Sequence, residues 1–374
     1  MLRTPLYNFH VDAGGKMVDF AGWEMPMLYT GIHEEHNQVR TSGGLFDVSH
    51  MGRVKISGRH ARRFLEKLCT RKISDMDAGQ CRYSLVCNDR GGVRDDVIVY
   101  RMDDDEFMMV VNASNREKLL GHFQEVKGDM AVKIEDQTLS TAMVALQGPK
   151  VMSEMVAKFS NEIPTLKRYR FLVKNLMVMK LTVSRTGYTG EDGVEVILPA
   201  MAVSMAMSLL LKDVNMKDAQ ALVKPAGLGA RDTLRMEAGM PLYGHELGED
   251  INAFSCGVDF AISMDKDQGE RGETFVGMEA LKKTQAAGGP KRKMVGISIE
   301  GKRTARQGMP IKAGSTVVGE VTSGCLSPTF GHAICMGFVD VAQMAEGTAL
   351  TIDTGRGELS GKIVKLPFYK PAKK

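Results

Sequence analysis

The chain has 374 residues, with 49 basic and 45 acidic side chains and a net charge of +4; at 43% hydrophobic and 25% charged content it has a globular composition, and its length calls for two or three domains. Basic residues are scattered apart from Lys291-Arg292-Lys293 and the tail Lys373-Lys374, which argues against nucleic-acid binding and leaves only a basic edge for an acidic partner protein. No apolar run reaches the roughly 20 residues of a membrane span, and Met1–Tyr7 lacks the features of a signal or transit segment, so a cytoplasmic protein is expected, with the mature form of a mitochondrial matrix enzyme as the alternative.

In chain order, residues 30–42 read as a helix with a polar face, followed by a strand at Val54–Ile56 and a helix over 59–69. Three strands follow, Tyr83–Cys87, Asp96–Tyr100 and Glu106–Asn112, and a helix over 114–127 closes the block. A strand over 141–146 runs into Gly148-Pro149, where a proline in the first turn can open a helix. Strands over 176–183 and 194–198 come next, then helices near 202–213 and 228–240. Between 264 and 292 the chain is polar and Gly-rich, with Gln285-Ala-Ala-Gly-Gly-Pro290, and reads as a linker. Short strands at 294–299, 317–322, 333–339, 349–353 and 361–366 then predict an all-β C-terminal domain. The N-terminal part mixes helices with antiparallel strands, an α+β pattern.

The six cysteines show no C-x-x-C spacing and read as small buried apolar residues in a reducing compartment. The 27 methionines need no role beyond filling irregular cores.

The segment Ser184-Arg-Thr-Gly-Tyr-Thr-Gly-Glu-Asp-Gly-Val-Glu-Val196 puts three glycines, one tyrosine and three carboxylates into thirteen residues. Gly, Asp and Thr are ordinary hairpin residues. Gly187, Gly190 and Gly193 would also let the backbone approach a ligand closely. Asp95 and Asp96 begin a strand and should point to opposite faces, so a one-face dyad is not expected. One could cap the turn Asp89–Gly92 while the other faces a cavity; a structural salt bridge is as good a reading. Arg231 shares a helix face with Leu234 and Ala238 and should point inward, where an arginine pairs with a carboxylate of the protein or of a ligand.

Several motif matches fail. Gly227-Leu-Gly-Ala-Arg-Asp232 lacks the third glycine and the preceding strand of a dinucleotide site, and Gly357–Lys362 is one residue short of a phosphate loop. His33-Glu-Glu-His36 has the wrong spacing for a zinc protease helix. Asp47, Ser49 and His50 lie too close in sequence for a convincing triad.

A further set of segments belongs together: Thr4–Tyr7, Met17–Pro26, Leu45-Phe-Asp-Val-Ser-His-Met-Gly52, Gly91-Gly-Val-Arg-Asp-Asp96, Val111-Asn112, Leu146-Gln-Gly-Pro149, Ser184–Glu195, Ala226–Asp232, Thr322-Ser-Gly-Cys-Leu-Ser-Pro328 and Pro367-Phe-Tyr369. In order and over nearly the whole length, this set resembles the T-proteins of the glycine cleavage system, which are tetrahydrofolate-dependent aminomethyltransferases. The resemblance implies a three-domain cloverleaf around a central folate cavity: a discontinuous first domain (1–52 plus 138–263), a second α+β domain (53–137), the linker region 264–292 and a C-terminal β-barrel-like domain (293–374). It implies tetrahydrofolate as acceptor substrate, no metal, and lipoylated H-protein as partner, with no nucleic acid or membrane and a monomeric state. Asp96 matches the family's catalytic aspartate, and Glu195 the carboxylate that binds the pterin. Tyr83, Asn112, Tyr188, Arg231 and Tyr243 would line the same cavity, joined by Tyr369 and Lys370 from the C-terminal segment.

One position departs from the pattern. Family members often carry a tryptophan within the segment here reading Gly257-Val-Asp-Phe260, whereas Trp23 is the single tryptophan of this chain. Phe260 would supply that ring. Two rivals share the fold. A non-catalytic folate-binding factor for iron–sulfur assembly would carry Lys-Gly-Cys-Tyr-x-Gly-Gln, and no cysteine stands near Tyr188 here. Flavin dehydrogenases of the group carry a flavin domain ahead of the pattern; a stand-alone folate-dependent demethylase is the remaining alternative.

Overall fold

Alternation along the strand Val93–Arg101 sets the frame of the molecule: Val93, Asp95, Val97 and Val99 are buried, while Arg94, Asp96 and Ile98 between them are half-buried. The computed structural model describes residues 1–176, 179–211, 218, 220–269 and 272–371. Val93–Arg101 lies in a five-stranded sheet of order Cys81–Cys87, Val93–Arg101, Glu106–Val111, Gly52–Ser57, Lys133–Asp136. The helices Ala61–Leu68 and Arg116–Lys127 cover its Asp95 face, where Phe64, Leu65, Leu119 and Phe123 pack on Val54, Val97 and Val99.

A six-stranded sheet runs Phe171–Leu176, Met179–Ser184, Gly193–Pro199, Thr141–Gln147, Gly44–Asp47, Lys224–Pro225. Gly44–Asp47 and Thr141–Gln147 are antiparallel neighbours, with Val144 opposite Asp47. The chain thus leaves this sheet after Asp47, builds the five-stranded sheet and returns, which makes the first domain discontinuous. One face of the six-stranded sheet buries Leu146, Val183 and Val194 against Val151, Met155, Val203 and Met207.

A third core joins the two sheets. Tyr100, Met108 and Val110 from one meet Phe46, Met143, Ala145 and Ile197 from the other, with Ala230 and Leu234 of the helix Leu228–Glu237. Asp96 shares its strand face with Ile98 and Tyr100, and Glu195 shares its own with Ile197. Both carboxylates therefore come from faces turned toward this common interior. Tyr100 Oη and Ser184 Oγ, 3.1 Å apart, tie the sheets beside it.

The C-terminal strands close into a six-stranded barrel, Arg292–Ile299, Ala333–Asp340, Thr316–Leu326, Pro310–Ala313, Ala349–Asp353, Glu358–Val364. Closure removes the sheet edges that an open sheet of short strands would expose. Among the described residues no helix is long and apolar enough to cross a membrane.

The elements differ from the sequence reading at several places. The strand expected over 176–183 is divided between two paired strands, Phe171–Leu176 and Met179–Ser184, and residues 177 and 178 of that expectation lie outside the described residues. The helix after Pro149 opens with a π-helical turn, Val151–Val156. Helix Val203–Leu210 is shorter than expected, and residues 212 and 213 of that expectation lie outside the described residues. Helix Leu228–Glu237 also stops short of residue 240. Pro310–Ala313 and the N-terminal sheet of Leu2–Arg3, Trp23–Leu28 and Lys16–Phe20 were not expected. The segment read as a linker contains the helix Met278–Ala286, whose Met278 and Leu281 are buried against Leu85, Cys87 and Val93. Lys266, in the same segment, is buried and pairs with Glu66 at 2.6 Å.

Candidate active site

The loop between Ser184 and Gly193 is fixed by Gln147. A Cβ on Gly187 would stand 1.9 Å from Gln147 Oε1, and one on Gly193 2.1 Å from the Leu146 carbonyl. Gln147 Nε2 donates to the Thr186 carbonyl at 3.1 Å, and Thr189 Oγ1 donates to Gln147 Oε1 at 3.1 Å. Two of the three glycines thus admit a side chain of the protein rather than a ligand, which corrects the sequence reading. Gly190, at φ +84°, makes the turn. Tyr188 and Glu195 are accordingly carried by a rigid element.

Glu195 is buried, with Ser184 and Ala145 as its ladder partners. Thr186 Oγ1 donates to its Oε2 at 2.5 Å. Burial raises the Glu195 carboxyl above its ordinary range, while Thr186 and the positive charge of Arg231 act the other way.

Arg231 sits in the first turn of the helix Leu228–Glu237. That helix starts where it does because Gly227 presses on Met27: a Cβ there would stand 2.4 Å from the Met27 carbonyl. The Gly227 amide donates to Glu35 Oε2 at 2.8 Å. The Arg231 guanidinium carbon lies 4.8 Å from the centroid of the Tyr188 ring, whose hydroxyl donates to the Pro241 carbonyl at 2.5 Å. Arg231 Nη1 is buried without a hydrogen-bond partner among the described residues. Burial lowers the Arg231 pKa, and the Glu195 charge opposes that shift. The other sides of this helix are covered as well: Arg235 bonds Glu246 at 3.0 Å and Ser323 Oγ of the barrel at 2.9 Å.

Asp95 and Asp96 do not behave as two independent groups. Asn112 Nδ2 donates to both, at 2.8 Å to Asp95 Oδ1 and 2.7 Å to Asp96 Oδ1. Asp95 also accepts the Asn112 amide (3.0 Å) and Asn115 Nδ2 (2.6 Å). Asp96 accepts the Tyr83 hydroxyl at 3.1 Å. Neither caps the turn Asp89–Gly92; Asn88 Oδ1 does, accepting the amides of Arg90 and Gly92 at 3.0 Å each. The register shift between Val86 and Cys87 in the paired strand lies at this point, and such a bulge twists a strand and re-aims its side chains. Burial raises both aspartates above the usual carboxylate range, and the charge of Asp96 adds to the rise at Asp95, so the pair retains a proton toward neutrality. Burial and the neighbouring Asp96 likewise push the Tyr83 phenol well up.

Tyr83, Asn112, Asp96, Tyr188, Arg231 and Glu195 form one neighbourhood. The Tyr188 phenol feels both Asp96 and Arg231, and Arg231 feels Glu195. Phe260 joins from the side, 63% exposed, its ring centroid 5.9 Å from that of Tyr83. Tyr243 packs against the same cluster as Tyr83, and its hydroxyl accepts Lys118 Nζ at 2.8 Å. Tyr369 lies elsewhere, under Arg40: the guanidinium carbon is 3.9 Å from its ring centroid. Arg40 in turn donates to the Thr189 carbonyl at 2.7 Å and pairs with Glu191 and Glu237 at 2.9 Å. Tyr369 therefore reaches the Tyr188 loop through Arg40 and through its own hydrogen bond with Glu191. Lys370 is exposed. Sequence reasoning missed Asn115, Thr186 and Arg40. Thr186 stood inside the densest motif, but nothing in the sequence ties Arg40 to residues so far away in the chain.

Two family models match the chain: the GCVT N-terminal domain over residues 6–266 and the glycine cleavage T-protein C-terminal barrel domain over residues 292–370. An aminomethyltransferase of Rubrobacter xylanophilus is 46% identical over 369 residues, covering 98% of this chain and 94% of its own. One from Bacillus pumilus is 41% identical and covered over 99% of both chains. Among solved structures, the glycine cleavage system aminomethyltransferase T of Bartonella henselae is similar with a TM-score of 0.88 at 30% identity, over 99% of this chain and 98% of that one. The buried Glu195 beside Arg231, on this scaffold and with these relatives, leads to one conclusion: the chain belongs to the glycine cleavage T-protein family of aminomethyltransferases.

Proposed function

We propose that the chain transfers the aminomethyl group carried on the lipoyl arm of H-protein to tetrahydrofolate, giving 5,10-methylenetetrahydrofolate, ammonia and the dihydrolipoyl arm, as a monomer in the bacterial cytoplasm. The expected first (1–52 plus 138–263), second (53–137) and C-terminal (293–374) domains are kept in this proposal, with 264–292 as a packed connection rather than a linker. The observation that carries it is that Asp96, held by Asn112 and Tyr83, faces the same interior as Glu195 and as Arg231, whose Nη1 has no hydrogen-bond partner among the described residues.

The carbon–sulfur bond of the aminomethyl thioether breaks with its electron pair going to sulfur, leaving a thiolate and an iminium carbon. Folate N-5 attacks that carbon. A proton moves to the departing nitrogen, ammonia leaves, and N-10 closes the ring with loss of its proton. Glu195 accepts N–H donors of the aminopyrimidinone edge, a pattern suited to a carboxylate. Tyr83 and Tyr188 offer flat surface with a polar tip. Asp96 stands near N-10 and supports the developing cation, and the proton retained by the Asp95–Asp96 pair makes it a group that can give and take one near neutrality. Most of the remaining acceleration is orientation of two substrates in one hollow.

The test is to mix the protein with tetrahydrofolate and aminomethylated H-protein and assay ammonia. Ammonia release that requires both substrates is expected. Turnover of methylated amine or sulfur donors in place of aminomethylated H-protein would move the reading to a demethylase. In Asp96→Asn most folate affinity should persist while turnover falls at least about tenfold, the loss expected on removing a positioned proton-handling group.

A further inference from the structure

The segment Leu45–Gly52 takes no part in the proposed reaction, although it brings Asp47, Ser49 and His50 together. Two of these are accounted for within the protein. Asp47 accepts the Ser49 amide at 2.8 Å and lies 2.8 Å from His10 Nε2, whose Nδ1 is 2.8 Å from Tyr29 Oη. Ser49 Oγ donates to the Met143 carbonyl at 3.1 Å and accepts the Met143 amide at 3.0 Å.

His50 is different. It is 3% exposed, yet its Nδ1 is buried with no hydrogen-bond partner among the described residues. Its ring meets Phe20 edge-on, 5.4 Å between centroids. Three charged groups act on it: Asp47, Arg231 and Arg53. Asp47 is engaged by His10. Arg53 is saturated by the carbonyls of Ser49, Met51, Thr138 and Thr141. Arg231 remains, and its Nη1 is likewise buried without a hydrogen-bond partner among the described residues. Roughly nine in ten buried polar groups in proteins find a partner, so each of these two atoms calls for one, and the core shared by Val48, Met51 and Ala230 sets their residues beside one interior, the one that Glu195 also faces. Burial holds the imidazole neutral, with a pKa at about 3, so the ring adds no second cation beside Arg231.

We propose that His50 is a substrate-binding residue, whose Nδ1–H and the Nη1–H of Arg231 together hold the pterin carbonyl next to the N–H edge taken by Glu195. The inference rests on the folate reading above. A pterin offers a ring N–H and a carbonyl side by side. A carboxylate can only accept, so Glu195 serves the N–H side. A guanidinium can only donate, and a neutral imidazole with its proton on Nδ1 donates there too, so both serve the carbonyl.

The experiment compares tetrahydrofolate binding by calorimetry, turnover, and the melting temperature of the free protein in wild type, His50→Phe, His50→Asn and His50→Gln. Wild type must bind tetrahydrofolate; absence of binding there would sink the folate reading itself. In His50→Phe the dissociation constant should rise about tenfold, the worth of one buried hydrogen bond. Turnover at saturating folate should stay within about twofold. The melting temperature of the free protein should hold or rise, because Nδ1 gives up no hydrogen bond. Asn places an N–H near the Nδ1 position and should recover most of the affinity, whereas Gln, which reaches toward Nε2, should not. The inference fails if His50→Phe binds folate as wild type does, the result expected if Nδ1 meets only a trapped water. It also fails if the free protein melts several degrees lower and Asn and Gln behave alike, since that is a packing role. Should the Phe variant not fold, the Asn-against-Gln comparison decides alone.

Discussion

Replacing Asn112 by leucine removes one amide nitrogen that serves two buried carboxylates, and the consequence can be worked out from the contacts it makes. Asp96 keeps the Tyr83 hydroxyl and a backbone amide; Asp95 keeps the backbone amide of residue 112 and Asn115 Nδ2. Hydrogen bonds to a charged group contribute about 1.5–3 kcal/mol each, so the ionised pair loses roughly 3–6 kcal/mol. A buried carboxylate escapes such a loss by taking up a proton. At about 1.4 kcal/mol per pKa unit, the loss corresponds to some two to four units shared over the pair. The sign follows from linkage. A raised folded-state pKa means the native protein holds protons that the unfolded chain has released, so stability falls as pH climbs from the ordinary aspartate value toward the raised one. The variant should therefore lose melting temperature more steeply than wild type between about pH 5 and 8. If ionised Asp96 supports the developing cation, the acid limb of the pH profile of kcat/KM should move up by at least about one unit, with turnover at pH 7 down about tenfold. The assay is ammonia release across pH 5.5–9 with matched melting curves. An acid limb within a few tenths of a unit of wild type would refute the coupling through Asn112.

Three further outcomes are expected. Glu195→Ala should weaken tetrahydrofolate binding by calorimetry far more than it alters the urea midpoint, because the carboxyl is already disfavoured by burial and bonded by Thr186 alone among the described residues. Arg40→Ala removes the charged hydrogen bonds of Arg40 to buried Glu237 but leaves those of His36, Ser327 and Thr329, and should destabilise by about 1.5–3 kcal/mol in urea unfolding, the worth of a hydrogen bond to a charged group. Burial opposes ionisation of Glu237, but hydrogen bonds from His36, Ser327 and Thr329 outweigh it and hold the carboxyl at about 2. That depressed pKa contributes about 3 kcal/mol of stability above pH 4.5, lost as the pH falls toward 2, and melting temperatures in that acid range should show the loss blunted in Glu237→Gln.

Much of the scaffold was legible because its signals are local. Alternation in Val93–Arg101 and the short strands after residue 292 can be read residue by residue, and the face assignment of Asp96 with Ile98 and Tyr100 follows from period two alone. The first 28 residues were opaque: Lys16–Phe20 and Trp23–Leu28 show no clean alternation, and Pro26 interrupts the second. The helix Met278–Ala286 was hidden by the glycines and proline just after it. At the candidate site, residue types and the family pattern pointed to Asp96, Glu195 and Arg231. What stayed invisible was partnership: that one amide at Asn112 serves both aspartates, that Gly187 and Gly193 make room for Gln147, and that Arg40 rather than the Glu195 neighbourhood receives Tyr369. Those are long-range contacts, and nothing in the spacing of a sequence encodes them.

The C-terminal segment has a consequence for how the protein is made. The Tyr369 amide donates to the Glu237 carbonyl at 2.8 Å, and its ring lies under Arg40, which in turn grips the carbonyl of Thr189. The brace behind the Tyr188 loop is thus finished by residues that follow the last barrel strand. A ribosome-bound chain that has emerged only through the barrel strands would have both sheets in place while this brace was still missing. Competence should therefore follow completion of the barrel, and trimming the protein before Leu366 should leave a folded but slack enzyme.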